Sequence, residues 1–171
     1  MKERGIRVYI GLMCAAAVVC LVFTRWSSLG TLPVSSKLAL GGLTLIALLS
    51  ESVAIRMSVG ASAGGASSIM FIPMLAAVQL FGPPAGVALA SVTMLFGEFA
   101  IRRKGPMRGA FNVAQTIVAA TVAGWAFTLL NGVGLDGQPS ASISIGRQVW
   151  PFITFGLVFL ALNHAAVSLA I

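Results

Sequence analysis

Acidic side chains and histidine are nearly missing from this sequence, with four Asp or Glu and one His in 171 residues. A metal centre or a proton relay needs several such groups together, so neither is expected. Cysteine is as scarce. Cys14 and Cys20 both lie in the first apolar run, where a thiol behaves as a small hydrophobe, and two Cys with one His give neither a disulfide framework nor a zinc site. Also lacking are a nucleophile with a base, paired carboxylates, and a phosphate-cradling glycine loop followed by Lys. These residues give no physical reason to expect catalysis or a cofactor.

Charge of either sign is low, at 9% of residues against about 25% in soluble domains. Hydrophobic residues make up 58%, and the mean hydropathy is +0.99. Such a chain lacks the polar surface to cover a core in water, and disorder needs the opposite composition. The expected class is an all-α integral membrane protein. The net charge of +7 then reads as a topology signal, and no nucleic-acid partner is expected.

The charge-free stretches map the spans. No charge occurs in Val8–Thr24, Leu38–Ser50, Met57–Gly97, Gly109–Leu135 or Gln148–Ile171. A membrane helix needs about 20 mostly apolar residues, so the third stretch is too long for one helix. Phe81-Gly82-Pro83-Pro84 divides it, because two prolines remove donors and restrict the residue before them. Six transmembrane helices are predicted: Ile6–Phe23, Leu38–Val53, Ser68–Phe81, Pro84–Ile101, Met107–Leu130 and Val149–Ile171. The third is short and contains Pro73. Before it, the Gly- and Ser-rich segment Met57–Ser68 is too poor in helix formers for a stable helix. It reads either as an interfacial loop, with or without a short strand, or as a buried re-entrant piece.

Orientation follows from counting Lys and Arg. With the N-terminus inside, the inner side carries Lys2, Arg4, Arg7, Arg56, Arg102, Arg103, Lys104 and Arg108, and the outer side Arg25, Lys37 and Arg147. Eight against three predicts both termini in the cytoplasm, with Trp26 and Trp150 near the outer interface. Lys2, Arg4 and Arg7 before an apolar run also fit a cleaved signal peptide. Against that, Arg25 and Trp26 follow at once, as they do beside a retained helix. No regular repeat stands out, and residues 1–171 read as one transmembrane domain. The chain stops at Ile171 inside an apolar run, an ending expected of a domain boundary or a truncation.

Polar residues inside the spans are the candidate functional groups. Glu98 lies one turn before Arg102. It reads either as an i,i+4 ion pair at the interface, where Arg snorkels, or as a costly intramembrane carboxylate with a functional role. Asn112 and Gln115 share one helical face, and amides there commonly act as interhelical glue. Asn163 and His164 are adjacent and point about 100° apart. Together Glu98, Asn112, Gln115, Asn163 and His164 form the candidate intramembrane network, with Glu98, Asn112 and Gln115 expected to couple helices at the cytoplasmic end. Arg102, Arg103, Lys104 and Arg108 are the candidate contacts to anionic lipid headgroups. Small residues, including Gly41-Gly42, Ala85-Gly86, Ala123-Gly124 and the spaced pair Gly11 and Ala15, allow close helix approach.

From about Leu48 onward these pieces resemble a known family. The residues concerned are Ser68–Pro83 with its Leu80-Phe81-Gly82-Pro83 turn, the basic turn Arg102-Arg103-Lys104-Gly105-Pro106, Phe111-Asn112-Val113-Ala114-Gln115, and Leu162-Asn163. The stretch resembles the multi-helix N-terminal membrane domain of bacterial signalling proteins, which precedes HD, HD-GYP phosphohydrolase or GGDEF cyclase domains. The resemblance implies an inner-membrane sensor or anchor, often dimeric, with output on its C-terminal side and a ligand the sequence does not identify. No output domain lies within these residues, and no catalytic residue carries over. A second resemblance runs through Leu80-Phe-Gly-Pro-Pro-Ala-Gly-Val-Ala-Leu89. It is similar to the substrate-binding S components of energy-coupling-factor vitamin transporters, also small six-helix proteins, and implies vitamin capture at the outer face.

Overall fold

A computed structural model of the protein describes residues 2–58, 70–103, 105–135 and 145–170. Among them the only regular elements are helices: α1 (Lys2–Phe23), the single turn α2 (Ser27–Gly30), α3 (Val34–Ser58), α4 (Phe71–Phe81), α5 (Pro83–Phe96) continued by a π-helical turn (Gly97–Ile101), α6 (Pro106–Leu129) and α7 (Ile145–Ala170). Five of these are long and apolar enough to cross a membrane, with apolar stretches at Arg4–Phe23, Val34–Val53, Pro83–Ile101, Pro106–Leu129 and Gln148–Leu169.

The sixth expected span differs from the expectation. Helix α4 has 11 residues, about 16 Å at 1.5 Å per residue, half of a hydrocarbon core of about 30 Å. It starts late because Pro73 is tolerated only in a first turn, where its missing N–H has no intrahelical partner to lose. Of the segment 57–68, Met57 and Ser58 close α3. Residues 59–69 lie outside the described residues, so the loop, strand and re-entrant readings all fall there. Helix α3 starts four residues earlier than expected. Lys37 falls within it, and its Nζ donates to the Gly30 carbonyl at 2.9 Å.

Turn chemistry fixes the helix ends. Gly82 takes φ +88, where a side chain is strained, and donates to the Val78 carbonyl at 2.8 Å before Pro83 and Pro84 open α5. Helix α6 ends in a Schellman arrangement. Asn131 is left-handed at φ +59 and donates to the Thr128 carbonyl (2.9 Å), while Gly132 donates to the Phe127 carbonyl (2.9 Å).

Helix α6 is the central column, packed against α1, α5 and α7. Two-thirds of its apolar stretch is buried (67%), against 11% for α1. The outward faces of α1 and α3 expose Val22, Phe23, Leu38 and Leu45, as lipid-facing helices do. Helices α5 and α6 run antiparallel: a Cβ at Gly124 would meet the Pro83 ring at 2.7 Å, and one at Gly109 would meet Phe99 at 2.8 Å. The spaced pair Gly11 and Ala15 marks no contact, since Ala15 is exposed and a Cβ at Gly11 meets nothing within 4 Å; Gly41-Gly42 is equally open. Tyr9 Oη donates to the Ala166 carbonyl at 3.1 Å and its ring lies 5.7 Å from Phe111. The starts of α1 and α6 and the end of α7 therefore meet at one end of the bundle.

Candidate functional site

That same end carries a buried ionic cluster. The last part of α5 widens into the π-helical turn Gly97–Ile101, and the Arg102 N–H donates to the Gly97 carbonyl, five residues back, at 2.8 Å. π-turns are rare and occur mostly at functional positions. Here Glu98 and Arg102 both turn inward. Arg103 follows at φ +47, a left-handed conformation costing an L-residue about 1–2 kcal/mol. It redirects the chain toward α6.

Arg102 bridges two carboxylates. Its Nη1 donates to Glu98 Oε1 and its Nη2 to Glu51 Oε2 of α3, each at 2.7 Å. Asn112 Nδ2 of α6 donates to the second Glu98 oxygen, Oε2, also at 2.7 Å. The side chains of Glu51 and Glu98 are 1% exposed and that of Arg102 16%. These lengths are those of charge-assisted hydrogen bonds. The guanidinium joins α3 to the π-turn, and the Glu98 carboxylate joins the π-turn to α6 through Asn112. Thr116 Oγ1 donates to the Asn112 carbonyl at 2.9 Å, tying the amide-bearing turn back onto α6.

Gln115 makes a separate link. Its Nε2 donates to Asn163 Oδ1 of α7 at 3.3 Å, a long bond. Gln115 Oε1 and the hydroxyls of Thr93 and Thr121 are buried with no hydrogen-bond partner. Thr24, Thr44, Thr116 and Thr128, by contrast, donate to the carbonyl four residues back.

Of the residues singled out in the sequence, Glu98 and Asn112 are in direct contact, and Gln115 with Asn163 forms a second pair one turn along α6. His164 stands apart. It is exposed, because its neighbour Asn163 takes the inward direction on α7. The Glu98–Arg102 pair exists, but inside the bundle and shared with Glu51. Arg102 is accordingly removed from the set of lipid contacts, since both its Nη atoms are held by carboxylates. Arg103 and Arg108 are exposed, and Lys104 lies outside the described residues. Sequence reasoning missed Glu51. The signal was an acidic residue within the predicted span Leu38–Val53, the same anomaly that drew notice to Glu98. Among the described residues no group of His, Cys, Asp and Glu is arranged to hold a metal ion.

The other end of the bundle carries a cleft of about 650 Å³ between the end of α1, the start of α5 and the last turns of α6. The cluster and the cleft are thus at opposite ends of α6. Comparison of the chain with protein-family models, curated proteins and solved structures gave no match.

Proposed function

We propose that this chain is a domain of six membrane passes in a bacterial inner membrane, with both termini in the cytoplasm, although α4 at 11 residues is too short to make the third pass alone. In this reading it senses or anchors and passes a signal to a cytoplasmic output domain of HD-GYP phosphohydrolase or GGDEF cyclase type. The observation that supports it is the Arg102 guanidinium, which holds α3, the π-turn and α6 together through two carboxylates buried beside the basic turn. A buried polar group with several partners has discrete arrangements rather than a continuum. A helix shift that exchanges one partner for another converts a small displacement into a change of state. The chain itself performs no catalysis in this reading. Its partners are the bilayer, anionic headgroups at Arg103 and Arg108, and a second copy of the chain.

The test joins residues 1–171 to a GGDEF cyclase domain and measures cyclic dinucleotide in cells. Glu98→Gln and Asn112→Ala should alter output at unchanged expression, while His164→Ala should not. Wild-type response in both cluster variants reduces the cluster to structural glue. Topology is checked by reporters fused after Ile171, where activity only from a periplasmic reporter contradicts the inside C-terminus. The vitamin-transport reading has one observation in its favour, the cleft at the end opposite the cluster. It predicts a water-soluble vitamin copurifying with the detergent-solubilised protein.

A further inference from the structure

Two unfavourable pieces of backbone adjoin the ionic cluster. The π-helical turn Gly97–Ile101 holds one residue more than an α-turn and is closed by the bond from the Arg102 N–H to the Gly97 carbonyl. Arg103 then takes φ +47, where an L-residue is strained. Such conformations persist only where surrounding contacts over-determine them. Packing at Gly97 does not impose the wider turn, since a Cβ there would meet nothing within 4 Å. What grips the turn is the cluster itself: Arg102 on Glu51 and Glu98, and Asn112 on Glu98.

The extra residue has a geometric consequence. A π-turn takes up one inserted residue and leaves the residues after it pointing as they would on an uninterrupted α-helix one residue shorter. Wound as α-helix, the Arg102 N–H would return to the Glu98 carbonyl, four residues back. Everything past the turn would then rotate by about 100° and advance by about 1.5 Å. Glu98, at the second position of the turn, rotates little and stays beside Asn112. Arg102, just past the end, receives the full rotation. Its guanidinium leaves Glu51 on α3, while an i,i+4 pair with Glu98 remains within reach on an α-helix. Arg103, already away from helical dihedrals, is where the connection to Pro106 takes up the change.

We infer that the π-turn is a two-state latch: formed, it lets Arg102 tie α3 to the end of α5, and rewound as α-helix it keeps the Glu98 pair and releases α3. The inference rests on the proposed signalling role only for the use made of this movement. The movement is measured on residues 1–171 without an output domain, so its absence and the absence of signalling are separate results.

Spin labels are attached to cysteines at Leu12, exposed on α1, and at Arg103, exposed beyond the turn, with Cys14 and Cys20 replaced by alanine. Their separation is read by pulsed electron paramagnetic resonance in lipid nanodiscs. The chain with no further change should give one main distance. Glu51→Gln should add a second population displaced by about 8 Å, the chord of a 100° rotation at a side-chain radius of about 5–6 Å. Glu98→Gln leaves Arg102 its bond to Glu51 on α3 and should keep the single distance. Deleting Ala100, exposed in the turn, removes the extra residue and leaves Arg102 facing inward on a continuous α-helix. Combined with Glu51→Gln, that deletion should restore the single distance. The inference is overturned if Glu51→Gln keeps one distance, or if Glu98→Gln shows the second population equally, which would mean general loosening. Survival of the second population after the Ala100 deletion overturns it too. So does failure of the deleted chain to fold, because a removable residue is what the latch requires.

Discussion

Replacing Arg102 with glutamine removes the cation from between two buried carboxylates. Each carboxylate lies 2.7 Å from a guanidinium nitrogen. At an effective dielectric of 20, unit charges about 4 Å apart attract by about 4 kcal/mol, so two pairs give about 8 kcal/mol gross. Desolvation of three charged groups offsets much of this, and breaking buried pairs by deleting one partner typically costs about 3–5 kcal/mol. The 16% exposure of the Arg102 side chain admits some water and places the expected loss near the lower bound, about 3 kcal/mol. That is roughly a hundredfold in the unfolding equilibrium, measurable by titrating the protein in mixed micelles with sodium dodecyl sulfate. The origin of the loss is checked with Arg102→Met combined with Glu51→Gln and Glu98→Gln. A neutral, similarly shaped cluster should return to within about 1 kcal/mol of wild type, as neutral replacements of buried ion pairs commonly do. Loss below about 0.5 kcal/mol for Arg102→Gln, the level of an exposed pair, refutes the buried cluster. If the triple variant is as unstable as the single one, lost packing rather than unpaired charge is the cause.

Gly124→Ala sets a Cβ 2.7 Å from the Pro83 ring and should cost about 1–3 kcal/mol, whereas Gly11→Ala meets nothing and should stay within about 0.5 kcal/mol of wild type; the same micelle titration measures both. Asn163→Leu removes the acceptor of Gln115 and should cost about 0.6–2 kcal/mol, with no further loss when Gln115→Leu is added. Tyr9→Phe deletes the bond to the Ala166 carbonyl and should cost about 0.5–1.5 kcal/mol. Cysteines placed at Tyr9 and Ala166 should cross-link with a short reagent, which cysteines at Tyr9 and Trp150 should not.

The long helices were legible because their signal is cumulative: long apolar runs with few or no charges identify spans whatever their exact ends. The turn at Phe81–Pro84 was legible for a local reason, since Gly82 needs positive φ and Pro83 and Pro84 fit only a helix start. What composition hides is rotational setting. Gly11 and Gly124 look alike in sequence, yet one faces open space and the other a proline ring, and only the direction each face takes distinguishes them. The candidate network was half legible. Glu98 and Asn112 attract notice as polar residues within apolar runs, but a π-turn has no sequence signature strong enough to read. It is that turn which accompanies the inward setting of Arg102 and Glu98, so Arg102 read as a lipid contact. Glu51 went unremarked because its partner lies 51 residues away in sequence, a pairing that no local spacing encodes.

One helix joins the two candidate sites. Asn112 meets Glu98 near the start of α6 and Thr121 lines the cleft farther along it, nine residues or about 14 Å apart at helical rise. Helix α6 is the most buried of the long helices, and close-packed elements move as bodies rather than bend. A displacement of α6 against α5, where Gly124 meets Pro83, therefore reaches Asn112 without any relay of side chains. Gly124→Ala, which forces that contact apart, should then shift the output of the fused cyclase although it touches no part of the cluster. If Gly124→Ala keeps wild-type output at normal expression, the cleft end and the cluster end of α6 are uncoupled, and the two ends serve separate purposes.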